Sequence, residues 1–254
     1  MRASNPYKWG NLLLFLGVIA VNTLSVTLPL GGNSTAEISD RYHTYLTPAG
    51  YAFSIWSVIY LLLAGFVIYQ FRSSTGARDS VQRIGIWFML SCLFNMGWLL
   101  LWHYLYIELS LAAMVLLLLS LIVIYRRTRF IPNPTTGEKW LVRLPFSLYL
   151  GWISVATIVN VSVVLVKNDW GGFGLSGPFW AVIMLCVGTV LAVLVSFPYR
   201  DSIYPLVFVW AYIAIAVEHK DTNEVYFTGL IAAGLLLLYS IWLLLTPRRS
   251  RNRY

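Results

Sequence analysis

Eight apolar stretches separated by short polar connections constrain this chain more than any other feature. They cover residues 11–30, 48–71, 84–103, 108–125, 143–166, 178–197, 203–218 and 225–246. An α-helix rises about 1.5 Å per residue, so roughly 17 to 25 apolar residues cross about 30 Å of hydrocarbon. The pattern predicts an all-α fold, a polytopic membrane helix bundle of about eight transmembrane helices. The weakest of the eight is 203–218, the shortest, which has Pro205 near its start. Composition agrees: 59% of the 254 residues are hydrophobic and 11% charged, against about a quarter charged in soluble domains.

The connections carry independent information, because loops on the cytoplasmic side of a membrane collect Lys and Arg. With the N-terminus inside, 15 of the 18 basic residues fall on the inner side, leaving Arg41, Lys167 and Lys220 outside. Both termini are therefore expected to be cytoplasmic. The net charge of +8 is explained by topology, and no nucleic-acid partner is needed. The first stretch follows Arg2 and Lys8 and precedes Ser34-Thr35-Ala36, as a cleaved signal peptide would. Its apolar run is longer than a usual signal core and contains Asn22, which favours retention.

Several chemistries are excluded. No Asp, Glu, Lys, Arg or His stands in the middle of a stretch, where ion-coupled transporters place their charge carriers. A retinal-type Schiff base would need a mid-span Lys. No Ser-His-Asp, HExxH or paired-carboxylate arrangement is visible, so an enzyme is not expected. Cys92 and Cys186 lie within apolar stretches without neighbouring ligands and read as packing residues, leaving no metal site. His43, His103 and His219 lie near outer helix ends and read as solvated rather than as axial haem ligands.

Aromatic stripes supply the candidate site. In residues 47–60, T-P-A-G-Y-A-F-S-I-W-S-V-I-Y, Pro48 suits a first helical turn, and Phe53, Trp56 and Tyr60 then share one face. Asn95, Trp98 and Trp102 form a second stripe; Tyr149, Trp152, Ala156 and Asn160 form a third. Helical rise puts Asn22, Trp56, Asn95 and Asn160 in one layer roughly 10 to 12 Å below the outer surface. Aromatic walls with a few amides suit a flat, weakly polar amphiphile. The same residues also suit plain helix packing, since membrane Asn often bonds a neighbouring helix. The outer loop 31–47 reads as a lid or a connector, 128–139 with Pro132, Pro134 and Gly137 as a basic inner turn, and Gly-rich 168–177 as a turn without a phosphate-loop G-K-[ST].

The motifs resemble those of the tryptophan-rich sensory protein family, TspO, also called the translocator protein or peripheral benzodiazepine receptor family. Its second helix opens Pro-Pro-x-x-x-Phe-x-x-x-Trp-x-x-x-Tyr, matched here by Pro48, Phe53, Trp56 and Tyr60. Its third helix carries Asn-x-x-Trp, matched by Asn95 and Trp98. The fifth carries Trp-Val-x-Phe-Ala-x-x-x-Asn, matched by Trp152, Ala156 and Asn160. Ala49 replaces the second proline, Tyr51 stands where tryptophan is common, and Val164 where an aromatic residue is frequent. The change at Val164 argues against the porphyrin-degrading chemistry of some bacterial members, and the missing Tyr-then-basic pattern near 161–167 argues against sterol binding.

The resemblance implies a five-helix unit over 1–168, followed by a three-helix extension over 169–254 with a basic tail, in a bacterial cytoplasmic membrane. It implies a ligand site of Tyr51, Phe53, Trp56, Tyr60, Asn95, Trp98, Trp152 and Asn160 for a tetrapyrrole such as porphyrin or haem, bound as a ligand rather than a required cofactor. The expected partners are the lipid bilayer and that small amphiphile, in a sensory, regulatory or transport role. Gly188 with Ala192, and Gly229 with Ala233, allow close helix approach within the chain or in a homodimer. The alternative is an interaction or regulatory subunit, or an uncoupled permease component, with no porphyrin site.

Overall fold

The computed structural model describes residues 5–28, 30–76, 78–131 and 133–246, apart from the Ser73 side chain. Arg2, Pro132 and the tail residues Arg248, Arg249, Arg251 and Arg253, used above for topology and turns, lie outside the described residues. Among the described residues there are eight helices of 15 residues or more and no strand. They are α1 (Lys8–Thr27), α2 (Ile55–Tyr69), α3 (Trp87–His103), α4 (Ile107–Arg129), α5 (Leu144–Lys167), α6 (Gly177–Ser196), α7 (Ile203–Glu218) and α8 (Asn223–Leu245). The chain is an all-α membrane helix bundle.

Among the described residues six segments are long and apolar enough to cross a membrane: Lys8–Thr27, Gly50–Tyr69, Ile107–Arg129, Thr136–Lys167, Gly177–Tyr199 and Asn223–Leu245. The other two, α3 with 17 residues and α7 with 16, are shorter and sit inside the bundle. In α3 the buried Phe88, Ser91, Cys92, Asn95, Trp98, Leu99 and Trp102 recur at spacings of three and four, which makes one continuous inward face. α7 buries 10 of its 16 residues, because α5, α6 and α8 all pack on it.

α3 and α4 form an antiparallel hairpin, as do α7 and α8; α1 lies along α3, and α5 is the central helix, touching α2, α4 and α7. The inner half of the first five helices closes on Phe66, Phe88 and Phe146, whose rings meet edge to face at 5.2 to 6.0 Å. At the inner end the Gln70 Oε1 accepts from both Asn5 and Asn11 at 3.0 and 2.9 Å, joining α1 to the end of α2. Cys92 packs in this core, whereas Cys186 is exposed on the outer face of α6, so only the first is a packing residue.

Small residues bring the last three helices close within the chain. A Cβ at Gly151 would lie 2.9 Å from the Val207 side chain, and the Tyr212 hydroxyl occupies the space beside Gly188. That hydroxyl donates to the Leu185 carbonyl at 2.8 Å. Gly229 faces the Tyr212 carbonyl and Ala216, so both small-residue pairs close on α7. A buried ion pair, Arg129 to Asp201 at 2.6 Å, ties the end of α4 to the connection between α6 and α7.

Candidate functional site

Pro48 precedes α2 instead of opening it. A 3-10 turn over Gly50–Ser54 intervenes, and the Ala49 N–H donates to the Ala214 carbonyl on α7 at 3.1 Å. This tighter turn carries Tyr51 away from the stripe: it is 44% exposed and meets Trp210 edge to face at 5.4 Å. Tyr51 is therefore not brought to the aromatic cluster, although the same turn delivers Phe53 to Trp152, with ring centres 6.0 Å apart.

Trp56 is the hub. Its ring stacks on Tyr60 at 5.2 Å, lies 6.2 Å from Trp98, and meets Tyr149 and Trp152 edge to face at 5.8 and 6.4 Å. Trp98 in turn stacks on Trp102 at 6.2 Å. The three stripes thus converge from α2, α3 and α5, as helical spacing predicts for faces turned toward one another.

The asparagines of the predicted layer are spent in two networks. Asn95 accepts from Asn22 at 3.2 Å and donates to the Tyr149 hydroxyl at 3.1 Å, so its amide links α1, α3 and α5. Asn160 accepts from the Trp98 indole at 3.3 Å and pairs with Ser110 of α4, a partner the stripes did not reveal. Two donors in the cluster are buried yet make no hydrogen bond within the chain, the Tyr60 hydroxyl and the Trp152 indole N–H. Each such group costs about 1–3 kcal/mol unless a partner reaches it.

Two spaces adjoin Trp56. The inner one, lined by Phe53, Trp56, Trp98, Trp102, Trp152 and Asn160, is almost filled by these rings and measures about 40 Å³. The outer one is an open cleft of about 490 Å³ between α1, α2 and the outer loop, walled by Asn22, Thr23, Phe53, Trp56, Ser57 and Tyr60. Small-molecule sites occupy about 300–1,000 Å³, so only the cleft is of ligand size. Asn95 lines neither space; it positions the walls.

The outer loop does cover the site. A short helix, Thr35–Arg41, is started by a capping box in which the Ser34 hydroxyl accepts from the Glu37 N–H and the Glu37 carboxylate accepts from the Ser34 N–H. Those Ser34 contacts hold the Glu37 carboxyl below its usual range. The Trp102 indole donates to the Thr35 carbonyl at 3.3 Å, and Thr35 and Ser39 close the inner cavity from above. Gly31 is left-handed at φ 68°, and its missing side chain makes room for the His103 carbonyl.

The histidines divide. His43 is exposed, as expected, but His103 is 1% exposed, with Nδ1 2.8 Å from the Leu99 carbonyl, because the Gly31 turn covers it. It lines neither space beside Trp56. His219, half-buried, places Nε2 3.1 Å from the Thr47 carbonyl and packs on Tyr45, stapling the loop to the end of α7. Burial holds His219 below its usual pKa, against the Thr47 contact and the neighbouring Glu218. Burial and Glu218 push Asp40 above the usual carboxylate range. Among the described residues no group of His, Cys, Asp and Glu is arranged to hold a metal ion.

A family model described as TSPO-like protein matches residues 8–242, which take in all but the last three residues of α8. The chain belongs to that family. No curated protein and no solved structure matches it.

Proposed function

We propose, from membership of the TSPO-like protein family, that this integral membrane protein binds a flat amphiphile of the tetrapyrrole class in the cleft between α1 and α2. The observation that carries the reading is the cleft of about 490 Å³ beside the Trp56 ring, walled also by Phe53, Tyr60, Asn22 and Ser57. Stacking on Trp56 and Phe53 would supply contact area, and Asn22 and Ser57 would fix orientation. Trp98, Trp152 and Asn160 form the layer that holds Trp56 in place. The role is binding, in a sensory, regulatory or transport context, and not catalysis. The basic-residue distribution supports a cytoplasmic-membrane protein, bacterial by the family resemblance, with both termini inside and the cleft in the outer half of the bilayer.

The nearly filled inner cavity favours a second reading, an interaction or regulatory subunit whose aromatic stripes only pack helices. Tryptophan-fluorescence quenching by protoporphyrin IX separates the two. Saturable quenching at low micromolar ligand, weakened about tenfold or more in Trp56→Ala, is expected, since one stacked aromatic wall contributes on the order of 1–3 kcal/mol. Linear quenching, equal in both proteins, would mean partition into detergent and would favour the second reading.

A further inference from the structure

On the opposite side of α5 from Trp56, a second open cleft of about 460 Å³ runs between α4 and α6, floored by α5 and α7. Its walls are almost wholly apolar, from Leu118, Ile122, Ile158, Met184, Leu191 and Leu194. The polar groups on its floor are already paired. The Tyr204 hydroxyl donates to Ser154 at 2.9 Å, Ser154 to the Leu150 carbonyl at 2.8 Å, and Thr157 to the Ile153 carbonyl at 2.6 Å. The cleft exists because α6 packs chiefly on α8 and only sparsely on α5. Leu194 on its rim is 65% exposed, on a helix long and apolar enough to face hydrocarbon.

The mouth of this cleft is marked by charge. Arg126 lines it and is exposed, and among the described residues its side chain makes no hydrogen bond or ion pair. The arginines nearest to it in the chain, and Arg200, are occupied. Arg127 donates to the Arg83 carbonyl at 3.0 Å, Arg129 pairs with Asp201 at 2.6 Å, and Arg200 bonds Thr246 and lies 4.7 Å over the Trp242 ring. Asp201, the carboxylate nearest to these groups in the fold, is 2% exposed and takes Tyr125 and the Ile203 N–H besides Arg129. Among the described residues Arg126 is the one charged residue lining the cleft, so its mouth carries a free guanidinium and no carboxylate.

We propose that this cleft is a binding site for one acyl chain of an anionic phospholipid, whose phosphate pairs with Arg126. An apolar chain fills a groove whose walls are almost wholly apolar, and a guanidinium makes a charge-assisted, two-pronged contact with a phosphate diester. The Arg126 charge favours an anionic headgroup over a zwitterionic one, whose own cation it would repel.

The test uses the full chain in detergent, titrated with dioleoyl phosphatidylglycerol or dioleoyl phosphatidylcholine and read by thermal unfolding. Phosphatidylglycerol should raise the transition temperature saturably and phosphatidylcholine less. Arg126→Ala should weaken phosphatidylglycerol binding about tenfold, the size of one lost charge-assisted contact, while Lys139→Ala, an exposed cation at the same end of the bundle, leaves it unchanged. Leu191→Trp, which fills the groove, should weaken both lipids. Equal effects of the two lipids, equal losses in Arg126→Ala and Lys139→Ala, or wild-type binding in Leu191→Trp would each overturn the proposal. Arg126 is exposed, so its variant reports even where the groove-filling one does not fold.

Discussion

Replacing Asp201 by alanine tests how the last three helices are fastened to the first five. One Asp201 oxygen accepts from Arg129 at 2.6 Å and from the Tyr125 hydroxyl at 2.9 Å; the other accepts from the Ile203 N–H at 3.1 Å. The Arg129 side chain is 10% exposed and also bonds Ser147. Removing the carboxylate leaves that guanidinium buried and uncompensated, which costs about 3–5 kcal/mol. The Tyr125 hydroxyl loses its acceptor as well, about 1–3 kcal/mol if nothing replaces it. The two losses belong to one network and do not add, so about 4 kcal/mol is expected for Asp201→Ala. Asp201→Ala with Arg129→Leu removes both charges, and its cost should fall to about 1–2 kcal/mol, because exchanging a buried ion pair for apolar groups is often close to neutral. Reversible unfolding by sodium dodecyl sulfate in mixed micelles, followed by tryptophan fluorescence, measures these two differences and that of Arg129→Leu alone. A cost below about 1 kcal/mol for Asp201→Ala, or additivity of the two substitutions to within about 0.5 kcal/mol, would refute the argument.

Two further outcomes are expected. His219 has a lowered pKa in the fold, so the folded state binds its proton more weakly than the unfolded chain; its contribution is complete above pH 6.5 and is lost as pH falls through the folded value. Asp40, held above 3.8, acts oppositely: its contribution is present below that value and lost as pH rises through the folded one. Acidification from pH 7 toward 5 should therefore lower the hydrogen-exchange protection of the Thr47 and Ala49 amides, once the slower intrinsic exchange at acid pH is divided out, though Glu218 limits the effect; protection that does not change there would remove the pH role of the His219 staple. For orientation, a cysteine placed at Lys220 should react with a membrane-impermeant maleimide on intact cells, whereas one placed at the exposed Ser74 should react only after permeabilisation; the reverse pattern would invert the assigned topology.

The helices and their approximate bounds were legible because each is a local property, a run of apolar residues of membrane-crossing length. Even 203–218, the weakest stretch, is helix over Ile203–Glu218. Helical periodicity also indicated that Phe53, Trp56, Tyr60, Trp98, Trp152 and Asn160 lie on faces that meet. Tyr51 entered the expected site through the resemblance and not through periodicity, and the 3-10 turn over Gly50–Ser54 sets it against Trp210. His103 escaped because its cover comes from the distant Gly31 turn. The pairing of Asn95 with Asn22 and Tyr149, the nearly filled cavity, the two open clefts and the Arg129–Asp201 link were decided only by tertiary structure. The physical reason lies in the solvent. Lipid is as apolar as a leucine side chain, so an apolar stripe marks a helix but does not choose its neighbour. That choice falls to surface shape, to glycines such as Gly151 and Gly188, and to a few polar groups far apart in the chain.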